Sequence, residues 1–120
     1  QLDRPYIMLG FNIFAADSDA LANLLSSSMQ QAFVNLRSGR PGQLPPPLDG
    51  YEQQLPAAAK ALLGDVLSCS AIGSPATVRS GVLKFIERTR PDELMITSQI
   101  FDHSARLHSY EIAADIQKAL

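Results

Sequence analysis

The chain has 120 residues, room for one modest domain with a single core. It is 46% apolar and 18% charged with a net charge of −2, which argues against the basic patch that a nucleic acid or an anionic membrane would require. No apolar run reaches the roughly 18 residues of a membrane-spanning helix, no leader peptide is expected, and the single Cys69 excludes an internal disulfide and fits a reducing cytoplasm.

Tyr6–Phe14 is almost continuously apolar, the habit of a strand buried on both faces of a parallel sheet. Asn12 is its one polar member and is expected to bond a neighbouring backbone group. Asp17 is the expected cap of a first helix, with Asp19 complementing the dipole in its first turn. Leu21, Leu24, Leu25, Met29, Ala32, Phe33 and Leu36 fall on one stripe of that helix, and Arg37 and Gly39 mark its end. Arg40–Tyr51 then holds four of the eight prolines. Its triple proline enforces an extended polyproline path. It reads as a linker, as an ordered insertion lying over a surface, or, more weakly, as a proline-motif ligand.

A second helix is expected over Pro56–Leu67, with Ala59, Leu62, Leu63, Val66 and Leu67 on its apolar face. A short strand of small residues, Ser68–Ile72, should follow and pack Cys69. Gly73-Ser74-Pro75 then turns strand into helix. Ser74 is placed to cap and Pro75 suits the first helical position. This helix should run to Thr89 with Val78, Val82, Phe85 and Ile86 inward. Glu93–Ser98 is the third strand candidate. A last helix from about Ser104 to Ala119 should bury Leu107, Tyr110, Ala113, Ala114 and Ile112 or Ile116. Strands alternating with helices imply an α/β fold of three parallel βα units.

Parallel sheets bind ligands beyond the carboxyl ends of their strands. That edge gathers Asn12, Phe14, Gly73, Ser74, Ser98, Gln99, Asp102 and His103. The free amides after Gly73 make the helix start a possible anion site. Asp102 is positioned to cap the last helix and to pair with Arg106. No catalytic set is complete: Asp102 and His103 are sequence neighbours without a third group, and His103 and His108 are too far apart to share a metal.

The order and spacing of Pro5–Gly10, Ala15–Ala20, Gly73–Val78, Asp92–Met95 and Asp102–Glu111 resembles the C-terminal third of luciferase-like flavin-dependent monooxygenases, with the alkanal-monooxygenase branch nearest. The resemblance covers nearly the whole chain, 1–120, including the proline-rich excursion over 40–55. It implies a partial (β/α)8 TIM barrel made of its last three strands and helices. Such a barrel needs roughly 250 residues, so this chain alone cannot close one. The resemblance implies FMN, or a deazaflavin, in a full-length parent oxidoreductase, with the catalytic and most flavin-binding residues upstream. Gly73, Ser74, Ser98 and Gln99 are the candidate cofactor contacts here, with no catalytic or metal-binding residue and no cofactor held by this chain alone. Unpaired sheet edges and an exposed barrel-inner face are expected to drive homo-oligomerisation. The alternative is a small non-enzymatic α/β oligomerisation or binding module.

Overall fold

The computed structural model describes residues 2–120. The elements run β1 (Met8–Ala15), α1 (Asp19–Arg37), α2 (Ala57–Val66), β2 (Ser70–Gly73), α3 (Pro75–Thr89), β3 (Glu93–Thr97) and α4 (His103–Lys118), with short 3₁₀ turns at Glu52–Gln54 and Leu67–Cys69. All three strands are parallel, in the order β2-β1-β3, as alternation of strands and helices requires. The central β1 aligns its C-terminal half with β2, Asn12 with Ser70 through Ala15 with Gly73. Its N-terminal half aligns with β3, Met8 with Glu93 through Asn12 with Thr97.

Successive residues of β1 point to opposite sides, and the two sides differ. Phe11, Ile13 and Ala15 enter a core with Ala71, with Val78, Val82 and Phe85 of α3, and with Ile112 and Ile116 of α4. The rings of Phe11 and Phe85 lie 4.6 Å apart. On the other side only the C-terminal end is covered. There Phe14 packs with Ala22, Leu25 and Met29 of α1 and with Ile100. Towards the start of β1 that same side is bare: Met8 is 49% exposed, and Met95 on β3 is 56% exposed. The expectation of burial on both faces therefore holds only where α1 reaches.

α3 spans the expected residues, capped by the Ser74 hydroxyl and with Pro75 in its first turn. α1 ends at Arg37, and Gly39 takes the left-handed conformation that was expected of it. Its cap, however, is Ser18, which accepts from the Leu21 amide at 3.2 Å, and not Asp17. Its buried stripe is also rotated from the expected one: Leu21 and Leu36 are exposed, whereas Ser26, Ser27, Ser28 and Gln30 are buried. The proline-rich excursion is an ordered strap that meets this helix at Ser27 and Gln31. The Leu48 amide donates to Ser27 Oγ at 2.9 Å and Gln31 Nε2 donates to the Pro46 carbonyl at 2.9 Å. These bonds hold the strap along the polar side of α1.

Three further expectations change. Cys69 lies in a 3₁₀ turn and is exposed, because β2 begins one residue later. In α2 only Leu63 of the expected face is buried. In α4 the buried residues are Ser109, Ile112 and Ile116, while Leu107, Tyr110 and Ala114 are exposed. The helix is turned so that a serine, not a leucine, meets the end of β1.

Candidate functional site

The parallel topology brings the carboxyl ends of β1, β2 and β3 to one edge, and most of the candidate residues meet there. The first group is centred on the start of α3. The Ser74 amide donates to Asp19 Oδ1 at 2.7 Å. Ser74 Oγ caps the helix from the Thr77 amide at 3.5 Å and lies 3.2 Å from Thr77 Oγ1. The Ser74 amide, followed by the Thr77 hydroxyl, pulls the Asp19 carboxyl below its ordinary value of 3.8. A carboxylate at a helix N-terminus is stabilised by the free amides and the dipole. The chain thus supplies its own anion at the expected anion site.

Gly73 is what lets that carboxylate approach. A Cβ on Gly73 would lie 2.5 Å from Asp19 Oδ1 and 2.5 Å from Thr77 Cγ2. No real Cβ tolerates such contacts, so glycine here follows from the Asp19 contact. The Gly73 carbonyl in turn accepts from the Ala16 amide at 3.1 Å, which ties the turn after β1 to the turn after β2.

The second group joins β1, β3 and α4. Ser98 Oγ donates to the Ile13 carbonyl at 2.7 Å and lies 3.0 Å from Ser109 Oγ. The Ala15 amide donates to Ser109 Oγ at 3.0 Å, and the Tyr110 hydroxyl accepts from the Ser98 amide at 3.1 Å. Both serines are buried. This network is closed on itself: its donors and acceptors are matched within the protein, as buried polar groups must be. Gln99, one residue on, is exposed. Asn12 sits just inside the edge, where its Oδ1 accepts from Thr97 Oγ1 across the β1–β3 pair, a side-chain partner in place of the expected backbone one.

The third group is on the surface. Asp102 caps α4, its Oδ2 accepting from the Ala105 amide at 2.9 Å. Arg106 does not pair with it; its Nη2 lies 2.7 Å from His103 Nδ1. His108 Nε2 is 2.7 Å from Asp17 Oδ1 and its Nδ1 is 3.5 Å from Glu111 Oε2. These two carboxylates, Asp17 foremost, raise the His108 pKa above 6.5. Among the described residues no three metal-ligating side chains come together.

The structure therefore gathers Gly73, Ser74 and Ser98 at one edge with Gln99 beside them, but commits Ser74 and Ser98 to partners inside the chain. Asp19, Ser109 and Tyr110 were not singled out for this edge from the sequence. A signal for Ser109 existed: it stands three and seven residues before Ile112 and Ile116, on the same helical stripe.

No family model matches the chain. Over its whole length it is 46% identical to the luciferase-like monooxygenase of Escherichia coli (strain K12), of which the match covers 36%. It is 38% identical to the Bacillus subtilis (strain 168) protein YvbT over 117 residues, 98% of this chain and 35% of that protein. The crystal structure of apo-MsnO8 superposes with a TM-score of 0.72 at 25% identity, covering 95% of this chain and 35% of that one. The likeness to a luciferase-like monooxygenase read from the residues is thus found along the full chain. The chain spans about a third of the length of the curated relatives it matches.

Proposed function

We propose that this chain is the C-terminal part of the barrel of a luciferase-like, flavin-dependent monooxygenase, and that it is inactive alone. The match of the whole chain to 36% of the Escherichia coli protein carries this reading. The uneven cover of the sheet, extensive on one face and limited to the strand ends on the other, supports it: in a (β/α)8 barrel helices cover the outer face of the wall and the inner face looks into the barrel. Here α3 and α4 cover one face. In this reading β1 and β3, paired over five residues, are neighbouring wall strands. β2, four residues long, attaches beside the C-terminal half of β1. This differs from three consecutive wall strands, which would stand in chain order.

The parent protein uses reduced FMN, or a deazaflavin, to activate oxygen or to move hydride. Gly73, Ser74, Ser98 and Gln99 are kept as candidate contacts of that cofactor, but they do not make a flavin site by themselves. A flavin phosphate at the Ser74 amide would have to displace Asp19, and the Ser98 hydroxyl would have to leave the Ile13 carbonyl. Only Gln99 presents an exposed side chain.

We also place the protein in the cytoplasm, on its single exposed thiol, and infer that the isolated chain self-associates. Met8 and Met95 form an uncovered apolar strip beside unpaired outer edges of β2 and β3. No helix among the described residues is long and apolar enough to cross a membrane. A second reading, a non-enzymatic α/β binding or assembly module, is favoured by one observation: the hydroxyls of Ser98 and Ser109 are satisfied internally. FMN titration of the isolated chain, followed by flavin fluorescence, tests the main reading. Weak or absent binding is expected. Tight binding would overturn the view that the cofactor site lies mostly upstream. Sedimentation tests self-association, which a single monomer species at micromolar concentration would exclude.

A further inference from the structure

We propose that the outer edge of β3 is the seam at which one further parallel strand, apolar on both faces, joins the sheet. The inference rests on the barrel reading, in which chain outside these residues supplies that strand; the Escherichia coli relative is matched over only 36% of its length. β3 is the outermost strand on its side of the sheet, and among the described residues nothing pairs with its outer backbone. An unpaired row of amides and carbonyls is a template for another strand, and proteins ordinarily guard such edges with lysine, proline or brevity. β2 is guarded in this way: it has four residues, and Thr77, Ser80 and Lys84 line the groove beside it. β3 instead carries Leu94, Met95 and Ile96 in succession, with no lysine or proline within the strand.

Both faces of β3 are as incomplete as its edge. Met95 stands 56% exposed on one side of the sheet. Leu94 and Ile96 point to the other side, where they pack at the margin of the core but are only half-buried. A cleft of about 620 Å³ is lined by these two, by Val82 and Ile86 of α3, and by Ala113 and Ala114 of α4. The acids at its end are already partnered: Asp92 holds Arg4 and the Ile7 amide, and Glu93 accepts from the Tyr6 hydroxyl. The remaining lining is chiefly apolar. A helix or a small molecule laid on one face would leave the edge and the other face bare. A strand in register meets all three. Its backbone pairs with the edge, and its alternate side chains fall beside Met95 on one face and beside Leu94 and Ile96 on the other. Such a strand is apolar on both faces, the habit of parallel sheets, and parallel is the sense of both existing pairs.

The probe is a short capped peptide of alternating valine and threonine, with a lysine at each end for solubility. It is titrated into the intact chain and followed by amide chemical shifts. Saturable shifts confined to Leu94–Thr97, Ala113, Ala114 and their neighbours are expected, with none in β2. The same peptide N-methylated at every valine and threonine keeps its side chains but cannot complete the ladder, and should give none. A nitroxide at the amino end of the peptide should broaden Glu93 and Leu94, and one at the carboxyl end Thr97 and Ser98, as a parallel strand requires. Met95→Lys sets a charge beside the edge, and Ala114→Glu sets one in the cleft. Both positions are exposed, and a thermal melt verifies each fold. Each variant should weaken the peptide by about fivefold or more, and Gln99→Ala should not. The proposal fails if the peptide gives no saturable shifts, if the methylated peptide binds as well, if the labels report an antiparallel strand, or if both charged variants bind unchanged. It also fails if the β3 shifts follow dilution of the chain itself and not the peptide, which would give the edge to a second copy. The barrel reading fails separately, by tight binding of FMN to the chain alone, whatever the peptide does.

Discussion

The two faces of the sheet share the same strands and have different fates. On one, Phe11 and Ile13 of β1 are 3% and 2% exposed beneath α3 and α4. On the other, Met8 and Met95 stand about half exposed, and Gly10 between them has open space where a Cβ would be. Alternation within β1 thus encodes two environments, of which this chain builds one. A methionine on an uncovered sheet face gains nothing from the hydrophobic effect until something covers it. In the proposed reading the open face is where further chain or a second copy would lie, and the closed face holds the larger core of these residues.

The largest expected effect tests that division. Phe85→Ala empties the closed face beneath Phe11 and should cost about 3–5 kcal/mol in urea denaturation. Met95→Ala removes a comparable side chain from the open face and should stay within about 0.5 kcal/mol. If Met95→Ala instead costs several-fold more, and its melting temperature loses a dependence on protein concentration seen in the parent chain, then the open face is covered by self-association in solution. The comparison would then be between two kinds of buried face.

A smaller effect is expected at the seam between the faces. Ser109 accepts from the Ala15 amide and lies against Ser98, tying α4 to the end of β1. Ser109→Ala leaves a buried amide without its acceptor and should cost about 1–3 kcal/mol by chemical denaturation. Gln99→Ala, one residue beyond Ser98 but exposed, should be neutral. Equal losses at Gln99 and Ser109 would mean that the strand-end edge is packed against something beyond this chain's own helices.

Much of the fold was legible because its signals are local. The cap, the proline and the apolar spacing that define α3 lie within fifteen residues, and the helix is found over the expected span. The parallel sheet follows from the alternation of elements. The buried stripe of α1 was not legible. Ser26 and Ser27 satisfy their hydroxyls on the Asn23 and Leu24 carbonyls, at 2.8 and 2.5 Å, so serines can be buried without distant partners. Ser27 also meets the Leu48 amide of a strap whose course is set by prolines, and proline composition does not say where an extended segment lies. At the strand ends, topology says which residues gather, but their commitments are long-range. Asp19 and Ser74 are 55 positions apart, and Ala15 and Ser109 are 94 apart. Asp19 has the composition signal of a first-turn acid serving its own helix, and nothing local reveals that α3 also uses it.

The smallest expected effect is a pH dependence at a contact that ties the two layers together. His108 on α4 pairs with Asp17 in the turn before α1, with Glu111 on its own helix close by. Both carboxylates raise its folded pKa above 6.5, so its contribution is fully present below that pH and is lost as pH rises through the raised value. The pair is exposed, so the step should be at most about 0.2–1 kcal/mol. Asp19 and Asp92 behave oppositely. Backbone amides, those of Ser74 and Ile7, hold their carboxyls below 3.8, and their contribution is present above that pH and lost as the pH falls further. Melting temperature against pH should therefore fall at both ends. His108→Gln should flatten the fall on the neutral-to-alkaline side and leave the acid limb in place. A step above pH 6.5 that survives in His108→Gln would assign it to another group and remove Asp17–His108 as a link between the helix of the closed face and the helix that caps the open one.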